Sequence, residues 1–409
     1  MMRRLSTLTR AAWLIAIMLA GCATPVPQKP PAAPPAQPPA PAPQVTVPAP
    51  PAEEAVTPSM RPATWQELPR WADENPAAAW PALTAGCKAL QDRDEWRTPC
   101  AVALEIAKPP DAATARRYFE TYFTPYRLVN PDGSDTGLAT GYYEPLLHGS
   151  LKPTRRYRYA VYGVPDDLLD VDLASVYPQL KGMRLRGRLE GRRVVPYYDR
   201  AQIENGAAPL HGKELAWVDD PVDLFFLQIQ GSGRIRLADG KVLRVGYADQ
   251  NGYPYRSIGR WLVERGELSL DQASMQGIKD WARAHPDELQ ALLNYNASYV
   301  FFRVLPGDLP GPLGALGVPL TAGRSVAVDP RYVPLGVPVY LATTRPNSNA
   351  PLDRLMLAQD TGGAIRGPVR ADFFWGTGEA AAREAGRMKQ DLRMWVLLPN
   401  GMAAQSNGG

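Results

Sequence analysis

The residues best suited to chemistry lie between Leu355 and Lys389, in the run LMLAQDTGGAIRGPVRADFFWGTGEAAAREAGRMK. Asp360 and Asp372 stand at the two ends of a glycine-punctuated loop, and Phe373, Phe374 and Trp375 follow the second acid. A third carboxylate, Asp329, closes the short strand-like run RSVAVDP. Residues at strand ends project into connecting loops, so three acids placed there could meet at one end of a small barrel. Mutual proximity and apolar walls favour the neutral form of a carboxyl, which can then act as a general acid near neutral pH. A helix beginning near Gly378 would act oppositely, because its positive end favours carboxylate. A protonated acid facing an acetal oxygen is what glycosidic cleavage requires. Aspartates in D-P and D-T-G contexts also cap turns. Asp329 is balanced between the two roles, Asp372 among its aromatics is suited to acid chemistry, and Asp360 is suited to orient Asp372 or hold substrate hydroxyls.

The elements that must position these acids are mostly strands. Pro, Gly and Tyr are frequent and the apolar runs are short and alternating, which predicts a mainly β architecture with few helices. Helices are expected at 112–123, in QASMQGIKDWARAH behind the capping-box pair Ser269 and Gln272, in DELQALL opened by Pro286, and in GEAAAREAGRMK. A strand pair is expected in FFLQIQGSGRIRL, and single strands in YVFFRV, RSVAV, VPVYLAT, RLMLAQ and LRMWVLL. Strands on both sides of a differently textured middle predict an inserted domain. The expected layout is barrel segments at 64–144 and 305–402 flanking an insert at 145–304, with a disordered tail at 403–409.

The N-terminus says where the site works. Arg3, Arg4 and Arg10 precede the apolar run AAWLIAIMLA, which is too short to span a bilayer and has the form of an export signal. The tetrad Leu19-Ala20-Gly21-Cys22 fits the bacterial lipoprotein pattern, so a signal peptide at 1–21 and lipidation of Cys22 are expected. Ala23 resembles the residue found after the cysteine in lipoproteins sorted to the outer membrane, which predicts a lipid-anchored protein facing the periplasm. Residues 24–62 carry fifteen prolines and few large side chains, a composition that favours an extended tether able to reach on the order of 100 Å. A net charge of +4 without basic blocks gives no reason to expect a nucleic-acid partner. Cys87 and Cys100, the remaining thiols, suit a structural disulfide in an oxidising compartment, the alternative being two free buried thiols.

Other chemistries fit less well. Asp360-Thr361-Gly362 shares the aspartic-protease signature, but that reaction needs two such motifs and the chain has one. Gly231-Ser232-Gly233 lacks the serine-hydrolase frame, and His148, His211 and His285 form no ligand pair. No zinc or calcium signature occurs, so neither a metal nor another cofactor is expected. A non-catalytic binding lipoprotein would share the anchor and the tether, but has no use for an acid among aromatics.

Longer motifs bring a family into view. TGYYEP, LQIQGSGRI, VGYADQNGYPYRSIGR, SYVFF, SVAVDP, AQDTGGAIRG and RADFFWGTG, in that order, resemble the membrane-bound lytic murein transglycosylase A family over most of the chain past the tether. The resemblance implies a double-psi β-barrel made from N- and C-terminal parts, with a smaller β domain inserted. It also implies cleavage of the β-1,4 bond between N-acetylmuramic acid and N-acetylglucosamine in peptidoglycan, leaving a 1,6-anhydromuramic end. By the same resemblance the catalytic aspartate falls on Asp372 and its supporting aspartate on Asp360. Groove residues fall on Thr140, Gly141 and Tyr142. Further substrate contacts are expected from Gln230, Ser232, Asp329 and Trp375. Peptidoglycan strands and outer-membrane lipid are the expected partners, and cell-wall synthesis or divisome proteins are left open.

Overall fold

The computed structural model describes residues 59–402 apart from 107, 181–182 and 271. The expected signal peptide, the lipidation at Cys22, nearly all of the tether and the tail at 403–409 lie outside the described residues.

The principal sheet draws its strands from the two ends of the described chain. Its order is Met60–Pro62, Phe123–Leu128, Lys389–Pro399, Pro338–Ala342, Arg354–Asp360, Ser325–Val328, Arg370–Thr377 and Gly137–Glu144. The long strand Lys389–Pro399 pairs with Gly137–Glu144 through its first residues, and with Pro338–Ala342 and Phe123–Leu128 through its later ones. Six of the eight strands are thereby closed into a ring with mixed parallel and antiparallel pairing, and a closed ring leaves no open edges. Val326, Val339, Leu357, Phe373, Met394 and Val396, each at most 1% exposed, belong to one large core cluster with the helices packed on the ring. A six-stranded sheet and a three-stranded one are built wholly between Leu146 and Leu305.

Helix start and stop signals account for the largest departure from the sequence expectation. FFLQIQ is not a strand: Pro221–Gln230 is a helix, N-capped by Asp220, whose side chain accepts from Val222 N (2.7 Å) and Asp223 N (3.1 Å). Pro221 sits at its first position and Gly231, at φ 75°, ends it. An apolar run this short does not separate strand from buried helix by periodicity, and the cap, proline and glycine decide it. The next strand, Ser232–Leu237, keeps the second half of the expected pair.

Ala112–Tyr122 forms the expected helix, with Asp111 accepting from Thr114 N at 2.9 Å. The next two start late. Ser269 and Gln272 do bond each other, but Ser274 caps the helix Met275–Ala284, and Leu289–Asn294 begins three residues past Pro286. Two further helices, Trp80–Leu90 and Asp94–Glu105, lie in a stretch where no element was expected. Leu83, Cys87 and Leu90 on the first repeat the spacing of Trp96, Cys100 and Ala103 on the second, and all six are buried. A disulfide joins Cys87 to Cys100, with Cα atoms 5.1 Å apart.

Candidate active site

Register brings the acids together. Ala327 pairs with Asp360 on one flanking strand and with Asp372 on the other. Asp372 in turn pairs with Thr140, and Phe374 with Tyr142. Side chains of a strand alternate between faces, so Thr140, Tyr142, Asp372 and Phe374 share one face with Ala327. Only the methyl group of Ala327 stands between the two carboxylate positions. Tyr142, Leu320, Ala327, Ile365 and Phe374 form an apolar cluster around them. Asp360 is the last residue of its strand, as expected, but Asp372 is the third residue of Arg370–Thr377 and not at a strand end. It is presented by the sheet face rather than by a loop, which fixes its backbone on both sides.

Each carboxylate has its own donors. Thr140 Oγ1 donates to Asp372 Oδ1 at 2.5 Å, and Arg370 Nη2 donates to the same hydroxyl at 2.9 Å. Tyr142 OH donates to Asp360 Oδ2 at 2.9 Å, while Ala315 N and Thr361 N donate to Oδ1 at 3.0 and 2.9 Å. Burial pushes the Asp372 carboxyl above its ordinary range, against the Thr140 bond and the Arg370 charge. Burial likewise pushes Asp360 up to about 6, opposed by Thr361, Tyr142 and Ala315 and assisted by the negative charge of Asp372. Burial, and then the charges of Asp360 and Asp372, hold the Tyr142 phenol protonated. Both acids remain partly exposed, so they can exchange protons with a bound group.

Several residues expected at the site lie elsewhere. Asp329 is fully buried, and its carboxylate accepts from Arg331 Nε (3.0 Å), Arg331 Nη2 (2.5 Å) and Gly367 N (2.8 Å). Although burial alone would raise it, these bonds hold the carboxyl below its ordinary range. Asp329 is therefore a loop brace and is removed from the substrate contacts. Trp375, one residue out of phase with Asp372 and Phe374, packs on Phe373 with ring centroids 4.6 Å apart and donates to Met388 Sδ at 3.3 Å. Gly141 lies under that indole, where a Cβ would come within 2.6 Å of Trp375 Nε1. In IQGSG, Gln230 Oε1 accepts from Tyr143 N at 3.0 Å and Ser232 is buried at the start of its strand. A Cβ at Gly233 would meet Leu227 Cδ1 at 2.4 Å, so this glycine permits close packing. Arg370 was not singled out from the sequence. Its spacing of two from Asp372 in RADFF was the available signal, since alternation puts both on one face.

A mainly β protein whose closed ring carries two pKa-raised carboxylates on one face, with a large insert between the ring's halves, has the design of a carboxylate-centred barrel enzyme. Residues 138–303 match the MltA specific insert domain, and residues 324–398 match the 3D domain. The membrane-bound lytic murein transglycosylase A of Escherichia coli K12 is 34% identical over 266 residues, 63% of this chain and 64% of that one. The crystal structure of MltA from Neisseria gonorrhoeae is 39% identical, with a TM-score of 0.74 over 86% of this chain and all of that one. A structure of E. coli MltA with bound chitohexaose is 27% identical, with a TM-score of 0.60, and covers 80% of this chain and 90% of its own. The chain belongs to the membrane-bound lytic murein transglycosylase A family.

Proposed function

We propose that the protein is a peptidoglycan lytic transglycosylase that cleaves the β-1,4 bond between N-acetylmuramic acid and N-acetylglucosamine without water. The observation that carries this is the half-buried Asp372 carboxyl, raised in pKa on the same face as Asp360. Asp372 protonates the leaving oxygen of N-acetylglucosamine as the bond to the muramic anomeric carbon breaks and positive charge develops there. The resulting carboxylate takes the proton from the muramoyl 6-hydroxyl as that oxygen attacks the anomeric carbon. One acid suffices, because the nucleophile belongs to the sugar and internal attack gains from proximity. Asp360, ionised above about pH 6, favours the developing positive charge. The chitohexaose bound to the E. coli relative supports a β-1,4 glycan as the ligand class.

The same proposal extends to the ends and divisions of the chain. Barrel segments at 64–144 and 305–402 enclose an insert at 145–304, supported by which residues share each sheet. The name of the curated relative supports membrane association, and Cys22 supplies the lipid attachment to the outer membrane, facing the periplasm. Cys22→Ala is expected to abolish incorporation of labelled palmitate.

For the chemistry, purified Asp372→Asn incubated with murein sacculi is expected to release anhydromuropeptides at least about a hundredfold more slowly, read by mass spectrometry. Release at the parent rate rules out Asp372 as the acid. Parent protein that binds sacculi and liberates no fragments would instead be a murein-binding lipoprotein.

A further inference from the structure

We infer that Arg370 is a positioning residue for this proton transfer: by donating to the Thr140 hydroxyl it turns that hydroxyl's proton toward Asp372 Oδ1, which favours Oδ2 as the seat of the acid proton. The inference rests on Asp372 being the acid of the proposed reaction.

Donor and acceptor counting carries it. A guanidinium has donors only, and a threonine hydroxyl has one proton and two lone pairs. Arg370 Nη2 occupies a lone pair of Thr140 Oγ1 at 2.9 Å, and Asp372 Oδ1 lies 2.5 Å from the same oxygen. The hydroxyl proton points at Oδ1 when Asp372 is ionised. When it is neutral, a proton on Oδ1 could use the second lone pair only by turning the hydroxyl away from Oδ1, its one acceptor among the described residues, so the arrangement with the acid proton on Oδ2 is favoured. Arg370 is itself held, since Nη1 donates to Ala371 O at 2.6 Å and Leu138 O at 3.2 Å. Those two carbonyls belong to the paired strands that carry Asp372 and Thr140, so the guanidinium tracks the pair as one unit. With Oδ1 committed as an acceptor, the neutral acid carries its proton on Oδ2. That oxygen gives the proton to the leaving group and later recovers one from the 6-hydroxyl.

The charges around Asp372 act in opposite senses. Arg370 on its own strand opposes the burial that raises the acid. Tyr142 on the parallel strand is neutral, and Asp360 lies beyond Ala327 and interacts with Asp372 as a like charge. Arg370 thus steadies the carboxylate that Asp372 becomes after the first transfer, and the part of this effect relayed through the hydroxyl is read by removing Thr140.

The test is a carbon-13 NMR titration of aspartate-labelled protein, with the Asp372 resonance assigned by its loss in Asp372→Asn. Arg370→Met and Thr140→Val are each expected to move the Asp372 midpoint to higher pH. Arg370→Lys moves it less than Arg370→Met, and Thr140→Ser, which keeps the hydroxyl, holds the parent midpoint. On murein sacculi the high-pH limb of the rate profile is expected to move upward in the first two variants, with kcat lower by about tenfold or more. An unchanged midpoint in Thr140→Val with parent circular dichroism overturns the inference, even where Arg370→Met fails to fold. Full activity of Asp372→Asn removes the acid assignment and this inference with it, whereas an unchanged midpoint beside an inactive Asp372→Asn removes the inference alone, so the two failures are told apart.

Discussion

Asp360 shows how a single side chain couples the site to the stability of the whole chain. Its carboxyl is raised from 3.8 to about 6, chiefly by burial. Between those two values the folded protein binds more proton at this residue than the unfolded chain does, so stability falls as pH rises through the window and levels off above about 6. A shift of this size corresponds to about 3 kcal/mol, an upper figure because the group still touches solvent. Asp372, also raised, acts in the same direction. Asp360→Asn is therefore expected to narrow the difference in unfolding free energy between pH 4 and pH 7.5, read by urea denaturation at both. Tyr142→Phe should do the opposite: its hydroxyl donates to the carboxylate, and without that bond Asp360 titrates higher still and the pH 7.5 penalty grows.

At the scale of elements, the strand Gly137–Glu144 has two faces with separate duties. Thr140 and Tyr142 serve the acids, while Gly141 on the other side admits Trp375 and the backbone of the helix Gly378–Arg387. A methyl group at Gly141 would come within 2.9 Å of Ala385 Cα as well as against the indole. Gly141→Ala is accordingly expected to cost about 1–3 kcal/mol by thermal denaturation, with the strand displaced from Asp372 and kcat reduced in step. This two-sidedness also explains what the sequence revealed and what it hid. The strands ending near Asp329 and Asp360 were legible because short apolar runs stop at turn residues, whereas the strand Arg370–Thr377 was read only as the end of a glycine-punctuated loop. That Asp360 and Asp372 meet across Ala327 was not legible, since register between strands is written in no local pattern. The face of Trp375 was hidden because three adjacent aromatics look alike until the pleat assigns them to sides. Asp329 was misplaced because its partner Gly367 is 38 positions away. The helix Pro221–Gln230 was legible in hindsight from Asp220, Pro221 and Gly231, and it was hidden behind an apolar run that suits either element.

For the whole molecule, the decisive contacts lie where the chain leaves the ring and returns to it. Glu144, 1% exposed at the end of its strand, receives Arg234 Nε at 2.8 Å and Arg244 Nη2 at 3.4 Å, both from the insert. Arg244 also donates to the carbonyl of Leu309, so one guanidinium holds the outgoing and returning segments together. Removing one partner of a buried pair leaves the other charge uncompensated, and Glu144→Ala is expected to lose about 3 kcal/mol. Calorimetry should then resolve separate transitions for ring and insert if this clamp is what couples them; a single sharp transition would assign the coupling to other contacts.

The strand Lys389–Pro399, which seals the ring, is the last to be synthesised of those described. Thr140 bonds a carboxyl 232 positions further along the chain across directly paired strands, and the first residues of Lys389–Pro399 cover the other edge of the Thr140 strand. Without this strand the ring stays open between Gly137–Glu144 and Pro338–Ala342, although the pairings that set Thr140, Asp372 and Asp360 side by side do not run through it. Asp372 therefore meets the hydroxyl that serves it only when both halves of the ring have come together, with the whole insert already spanned between them.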